Sequence, residues 1–350
     1  MKNNFKIVEF DVHNAGEELW TAFFEHAEAI FRELEPEDPP LPREKRRALL
    51  KSAFEIPYVT KRMYLLLADG GKEAAGSVIL SVENPKSPSY GENKHIANLD
   101  LSVLPACRRK GVGAALVRHV AGELAAKEPA VTEILAPVFL DCGRAFCEKA
   151  GGTVSLETAA NRLYLKDADW ALMRTWAEEG ARRNPAAAVV KVSVIPEADI
   201  KNFCEVYTET INQQPLGDVA IHMMVTPEQL RHGERKNSGD GVEYTAIYTK
   251  ESDGAVSGLT EIIHLKEAGY KVTQLLTGVR ARCRGRGLGK LLKALMLLHV
   301  RAAYPGVRYI STGNADSNAP MLAINHKMGF KKHRPVRLYK LKLPLPGEFS

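Results

Sequence analysis

Residues 107–114 read CRRKGVGA and residues 283–290 read CRGRGLGK. In each, an Arg is followed by glycines three and five residues on: Arg108 with Gly111 and Gly113, Arg284 with Gly287 and Gly289. The copies lie 176 residues apart in a chain of 350, and Cys107 and Cys283 keep the same offset. A two-copy repeat at half the chain length points to duplicated domains rather than a solenoid. Length agrees, since cores stop growing well below this size and roughly 150–200 residues per domain is usual.

The rest of the chain follows the same duplication. A short alternating run opens each half (Lys6–Phe10; Val189–Val194), and helical stretches follow at 16–34 and 43–54, then at 197–211 and 227–233. Two strand-like runs come next, Met63–Ala68 with Gly76–Val82 and Tyr244–Tyr248 with Val256–His264. A third run, Ile96–Val103 or Val272–Val279, leads into the repeated phrase. Helices are expected after it at Ala114–Ala126 and Lys290–Ala303, then a strand (Glu133–Pro137; Arg308–Thr312) and a short helix (Gly143–Ala150; Ala319–Met328). Each half is expected to close on its own last strand, Arg162–Leu165 and Arg337–Leu341. Between the halves, Trp170, Met173 and Trp176 have the spacing of an amphipathic helix, and Asn184-Pro185 marks a boundary. The expected organisation is a first domain at 1–166, a linker helix at 167–186 and a second domain at 187–350.

Composition excludes several classes. With 45% hydrophobic and 26% charged residues the chain reads as an ordinary soluble protein. No apolar run approaches the roughly 18 residues that a membrane helix needs, and MKNNFKIVEF has no apolar signal core. Five cysteines without CxxC or Cys/His ligand spacing suggest neither a disulfide framework nor a metal site, so a cytoplasmic chain without metal is expected. The net charge of +6 gathers at 42–47, 108–110 and 280–290 rather than in a tail. No aromatic-basic interleaving accompanies it, which argues against nucleic acid.

The repeated phrase has a direct physical reading. A glycine-rich turn between strand and helix bunches backbone N–H groups at a helix N-terminus, where the partial positive charge favours phosphate. Glycine removes the Cβ that would block a pyrophosphate. Arg284, Arg286 and Lys290 add charge in one copy, and Arg108, Arg109 and Lys110 in the other. The pattern is neither GxxxxGK[ST], since Leu291 follows Lys290, nor GxGxxG, since Lys290 stands where the last Gly belongs.

The phrase V-x-x-x-x-R-x-x-G-x-G, entered from a strand and left on a Leu-rich helix, resembles the acyl-CoA loop of the GCN5-related N-acetyltransferases (GNAT). Thr312–Phe330, TGNADSNAPMLAINHKMGF, is similar to that family's second signature, N-x-x-A-x-x-L-Y-x-x-x-G-F, with Asn318 at its Asn and Gly329-Phe330 at its close. The resemblance covers most of both halves. It implies an α/β fold of two tandem domains, each a mostly antiparallel mixed sheet splayed at the acyl-CoA site and flanked by helices. It also implies acetyl-CoA as cosubstrate. In the second half the cosubstrate would be held by Thr277, Gly278 and Val279, by the loop Arg284, Gly285, Arg286, Gly287, Leu288, Gly289 and Lys290, and by Asn314 and Asn318. In the first half the counterparts are Leu101, Val103, Arg108, Arg109, Lys110, Gly111, Val112, Gly113 and Ala114.

The copies differ. In the first half Leu140, Cys147 and Gly152 replace the Asn, Tyr and closing Phe of the second signature, so the second half is expected to carry the chemistry. There Asn325 stands at the position of the family's proton-donating Tyr. An ammonium cannot attack a thioester, so a carboxylate must take the amine's proton, directly or through water. The candidates are Glu261, in the apolar strand SGLTEIIHL, and Asp218, in the loop PLGD. The oxyanion would rest on backbone N–H groups near Thr277–Val279. Tandem members of this kind include mycothiol synthase and acetyltransferases that modify antibiotics. The expected activity is acetyl transfer to an amine of a small or peptide-like, cationic molecule by direct attack in a ternary complex, with antibiotic inactivation as its sharper form. The alternatives are a biosynthetic or protein acetyltransferase and, in another class, a non-catalytic CoA-binding scaffold. A monomer is expected, because a tandem chain can mimic the dimer of single-domain relatives. The loops at about 84–94 and 212–241 are expected to shape the acceptor pocket.

Overall fold

The computed structural model describes residues 5–68 and 71–349. In chain order the elements are β1 (Lys6–Glu9), α1 (Glu17–Leu34), α2 (Arg43–Phe54), β2 (Val59–Ala68), β3 (Glu73–Glu83), α3 (Tyr90–Asn93), β4 (Ile96–Val103), α4 (Val112–Lys127), β5 (Glu133–Val138) and α5 (Asp141–Lys149). The second series is β6 (Thr153–Tyr164), α6 (Trp170–Arg183), β7 (Ala188–Val192), α7 (Ile200–Ile211), α8 (Pro227–Gly239), β8 (Val242–Lys250), β9 (Val256–Leu265), β10 (Lys271–Val279), α9 (Leu288–Ala303), β11 (Tyr309–Ala315), α10 (Ala319–Met328) and β12 (Lys331–Lys342). Among the described residues no helix is long and apolar enough to cross a membrane.

The chain forms two compact units, and neither is a continuous stretch. Unit 1 comprises Met1–Leu156, Asp218–Ile221 and Val336–Ser350; unit 2 comprises Glu157–Gly217 and His222–Pro335. The cause is an exchange of the closing strands. β12 pairs antiparallel with β5, from Arg337↔Val138 to Lys342↔Glu133, and so completes unit 1. β6 pairs antiparallel with β11, from Tyr309↔Tyr164 to Ala315↔Thr158, and so completes unit 2. Each strand also fills the core of the unit that it joins. Leu341 is buried with Ile134 and Leu116. Leu163 is buried with Val272 and Ile310. Both closing strands carry the triplet Arg-Leu-Tyr, at 162–164 and 337–339, so the local pattern does not tell which sheet each will enter.

Unit 1 has the strand order β1-β2-β3-β4-β5-β12, and unit 2 has β6-β11-β10-β9-β8-β7. In each, one neighbouring pair is parallel, β4 with β5 and β10 with β11. The other described pairings are antiparallel, which is the expected mixed sheet. One face of the unit 1 sheet packs Ala97, Leu99 and Val78 against Val112, Leu116 and Val120 of α4. The other packs Met63 and Leu65 against Trp20, Phe23 and Phe24 of α1.

In unit 2, α9 covers one face through Leu292, Leu297 and Val300, and α7 the other through Ile200, Phe203 and Val206. The helix expected to link the halves, α6, packs on α9. Asp169 caps its N-terminus, Met173 and Trp176 are buried, and Gly180 lies so close to Leu291 that an added Cβ would meet it at 2.6 Å.

Candidate functional site

Each unit contains a cleft where its parallel pair parts. In unit 2, β10 and β11 are in register only from Lys271↔Tyr309 to Thr273↔Ser311. Past that point the strands diverge. On its other edge, β10 changes register against β9 between Gln274 and Thr277, which places a β-bulge at Leu275-Leu276. A bulge leaves backbone groups outside the ladder and re-aims the strand.

The chain then turns through Ala281–Cys283 and enters α9 at Gly287. Gly285 (φ 80°) and Gly287 (φ 83°) both sit in the left-handed region, where a Cβ is penalised. That geometry starts α9 at Leu288, two residues before the position expected from sequence, and brings the first-turn N–H groups to the cleft.

The resulting cavity, about 640 Å³, is lined by Thr277, Gly278, Val279, Arg284, Gly285, Gly287, Leu288, Gly289, Lys290 and Asn318. The loop expected from sequence is therefore assembled, apart from two side chains. Arg286 turns away to the Asn184 Oδ1 atom at 2.8 Å and to Glu251 at 3.0 Å. Asn314 accepts from Asn325 Nδ2 at 2.8 Å and is not in the lining. Asn318 is, and it also caps α10. The cavity gains residues that sequence reading missed. Arg183 of α6 lies 3.9 Å from where a Cβ on Gly287 would stand, and Lys290 sits 5.4 Å over the ring of Trp176. Arg284 hydrogen-bonds the Gln213 side chain.

The expected catalytic residues do not gather there. Glu261 is only 2% exposed, on the face of β9 that packs against α7. Tyr244 donates a hydrogen bond to its Oε1, while Oε2 is buried without a hydrogen-bond partner. Burial pushes the carboxyl up to about 7 against the opposing pull of Tyr244 and Tyr207. It does not line the cavity.

Asp218 belongs to unit 1. It is exposed and pairs with Lys340 at 2.8 Å, which lowers its pKa. The loop goes there because Val219 and Ile221 pack with Ile96, Leu135 and Leu338. Asn325 is 1% exposed and serves packing through its bond to Asn314 rather than facing the cavity.

In unit 1, β4 and β5 are in register only from Ile96↔Glu133 to Asn98↔Leu135, and then part. The pairing of β4 with β3 is unbroken from Ala97↔Val82 to Val103↔Gly76, so this strand has no bulge. Gly111 (φ 82°) caps α4, and Arg109 (φ 62°) occupies the left-handed position that Gly285 holds in unit 2. A non-glycine there costs about 1–2 kcal/mol.

The cavity is about 590 Å³ and its walls are mainly apolar, with Leu101, Val103, Val112, Ala114, Val138 and Phe146 among them. Arg108, Arg109, Gly111 and Gly113 line it; Lys110 does not. Arg108 gives its guanidinium to Glu33, with one bond of 2.7 Å and a shorter second. Two further polar residues of β4 line the cleft, Asp100 and Ser102. Asp100 opens to the cleft, but protein packed on its other sides raises its pKa. The alternation of IANLDLSV was the available signal for this pair, since it puts both on one sheet face, opposite the face whose Leu99 packs with Val112 and Leu116 of α4.

Residues 20–151 match the model of the acetyltransferase (GNAT) family. That stretch is a GNAT domain, and the fold of the chain as a whole is that of tandem GNAT proteins. Its fold is similar to that of a tandem GNAT protein from the clavulanic acid biosynthesis pathway, with 20% identity, a TM-score of 0.75, and 97% of this chain and 98% of that one covered. A GCN5-related N-acetyltransferase from Sphaerobacter thermophilus gives 16% identity, a TM-score of 0.64, and coverage of 98% and 96%. A glucosamine N-acetyltransferase region of a fungal β-N-acetylglucosaminidase gives 14% identity and a TM-score of 0.65, with 97% of this chain and 38% of that one covered. No protein of curated function matches the sequence. The family model falls on the half whose second signature is degraded. That half nonetheless retains the glycine loop, the parted strands and an acid on the strand before the loop.

Proposed function

We propose that the chain transfers an acetyl group from acetyl-CoA to an amine of a small or peptide-like molecule, by direct attack within a ternary complex. The observation that carries this is the parting of β10 from β11 after Thr273, at a glycine loop that caps a helix. A parted parallel pair admits an extended pantetheine arm between two strand edges. The helix N-terminus receives the pyrophosphate, with Arg183, Arg284 and Lys290 around it. The bulge at Leu275-Leu276 frees backbone N–H groups on the strand that would hold the thioester carbonyl. Glu261, with a pKa near 7, can accept a proton at neutral pH. Because it does not line the cavity, its part would be played through an intervening water. A cationic acceptor suits this buried acid behind the cleft, and inactivation of an amine-rich antibiotic is the sharper form of the reading. Five unpaired cysteines support a reducing, cytoplasmic setting.

A second reading places the chemistry in unit 1. It is favoured by Asp100, an acid that lines the cleft directly on the strand before the loop. The test is thiol release from acetyl-CoA against a panel of polyamines, aminoglycosides, basic peptides and amino sugars, with product masses read for one added acetyl. An acetylated amine whose formation is lost in Glu261→Gln and kept in Asp100→Asn supports unit 2; the opposite pattern supports unit 1. Acetyl-CoA binding without turnover on any amine would leave a CoA-binding scaffold.

A further inference from the structure

The cleft of unit 1 contains a hydroxyl to which the reading above gives no role. Ser102 lines the cavity, and its Oγ lies 2.7 Å from Nε2 of His26 on α1. On the far side of the ring, Nδ1 is 2.8 Å from the carbonyl oxygen of Ala74. A carbonyl only accepts, so Nδ1 carries the proton. Nε2 is then a bare acceptor and the Ser102 hydroxyl must donate to it. His26 is 2% exposed, and burial lowers its pKa, so the ring stays neutral at pH 7. A serine nucleophile needs this tautomer and orientation, with a backbone carbonyl here in the place of the usual orienting carboxylate.

The pair is not a requirement of the fold. Counted from the repeated loop, the unit 2 counterpart of Ser102 is Gly278, and there Thr210 of α7 fills the space: a Cβ on Gly278 would meet the Thr210 side chain at 2.3 Å. In unit 2 the strand closes against its helix through a glycine and a threonine whose hydroxyl donates to the Val206 carbonyl of its own helix at 2.7 Å, while in unit 1 the strand carries a hydroxyl backed by an imidazole. The surrounding walls of unit 1, including Leu101, Val138 and Phe146, keep the site apolar. Beyond Asn98 the edge of β4 is unpaired on the β5 side. Alternate backbone N–H groups there can meet an acyl oxygen.

We propose that Ser102 is an acyl-accepting nucleophile with His26 as its base, so that unit 1 takes an acyl group from a thioester onto the serine oxygen. This rests on the acyl-CoA reading above. In the first step Oγ attacks the thioester carbonyl and its proton passes to Nε2. The C–S bond then breaks, and Nε2–H protonates the departing thiolate. The products are a serine ester and free CoA thiol. In the second step an amine attacks the ester carbonyl and gives a proton to Nε2. The C–Oγ bond breaks, Oγ takes that proton back, and the amide leaves. No further reactant is needed.

The experiment is mass spectrometry of the full chain after brief exposure to acetyl-CoA and, separately, to p-nitrophenyl acetate, an activated ester that needs no CoA site. The expected result is one added acetyl group on the peptide holding Ser102, released by hydroxylamine and absent in Ser102→Ala. Ser102→Cys should keep the label as a thioester. His26→Gln should slow labelling at least about tenfold, in line with loss of a general base. A thermal melt reports whether that variant is folded, and Ser102→Ala carries the test if it is not. Labelling by the ester alone supports the nucleophile while removing the CoA reading. Binding of acetyl-CoA by calorimetry with no label from either donor overturns the proposal. So does labelling of Ser102→Ala at the wild-type rate.

Discussion

Arg108 is neutralised by Glu33 through two guanidinium–carboxylate hydrogen bonds, whereas its counterpart in the repeat, Arg284, meets the uncharged amide of Gln213. The same loop has thus been given opposite electrostatic settings. In unit 1 the acid competes with a phosphate for the Arg; in unit 2 the charge remains to be used. The prediction is that Glu33→Gln raises CoA affinity at unit 1 by about two- to fivefold, the range for an interaction of about 0.4–1 kcal/mol at a partly exposed pair. Calorimetric titration at low and high salt would show it, with the gain shrinking as salt rises.

Gly278 is a packing requirement as well as a cleft residue. A Cβ there would lie 2.3 Å from Cβ and 2.5 Å from Oγ1 of Thr210, and neither atom is the far end of a flexible chain. Gly278→Ala should therefore destabilise unit 2 by about 1–3 kcal/mol, the usual cost of overpacking. Urea unfolding would measure it. Gly289→Ala, whose Cβ would find its nearest neighbour at an ordinary 3.5 Å, should leave stability near wild type and weaken CoA binding instead.

Glu261 gives a signed pH dependence. Its folded pKa is raised to about 7 from an ordinary value of 4.5, so between those values the unfolded chain loses a proton that the folded chain keeps. Stability from this group falls as pH rises through that window and levels off above it. Glu261→Gln removes the penalty. Relative to wild type, the variant should gain a few kcal/mol at most between about pH 5 and pH 8, since a tenfold change in proton affinity is worth about 1.4 kcal/mol. Denaturant melts at both pH values test this, and parallel curves for the two proteins would contradict it.

The strand exchange predicts that the halves do not separate cleanly. A fragment ending at residue 186 lacks Leu341, Leu345 and Phe349 from the core of unit 1 and leaves β5 without β12. An unpaired edge of that kind invites association. The fragment should aggregate or oligomerise on size-exclusion chromatography, and coexpression of 187–350 should rescue a soluble complex. A cooperative monomeric fragment of full stability would contradict the exchange.

What could be read in advance was local. The two glycine loops were legible because left-handed turns and helix N-termini are written in a few adjacent residues, Gly285 and Gly287 among them. The loop is also tolerant, since Arg109 adopts the same region without a glycine. The exchange was not legible, because Arg-Leu-Tyr stands in both closing strands and only long-range burial of Leu163 and Leu341 separates their fates. Asp218 was misplaced for a related reason: the partners that draw its loop to unit 1, Ile96, Leu135 and Leu338, are far away in sequence. Glu261 was legible as an unusual acid in an apolar strand, but its two tyrosine neighbours, Tyr207 and Tyr244, come from other elements. Asp100 and Ser102 were within reach of simple alternation, but the degraded second signature of their half carries no sign that its cleft is lined by polar groups.

The most direct test of the account is calorimetric titration of CoA into wild type and into the double variant Arg284→Glu, Lys290→Glu, with thiol release from acetyl-CoA measured on the same samples. Both side chains lie at the mouth of the unit 2 loop, and the reversal should leave the fold intact. The variant is expected to lose the tightest CoA site, by at least about tenfold in affinity as charge-assisted contacts are reversed, and to lose turnover with it. A variant that binds CoA and releases thiol as wild type does would contradict the assignment of the donor site to unit 2.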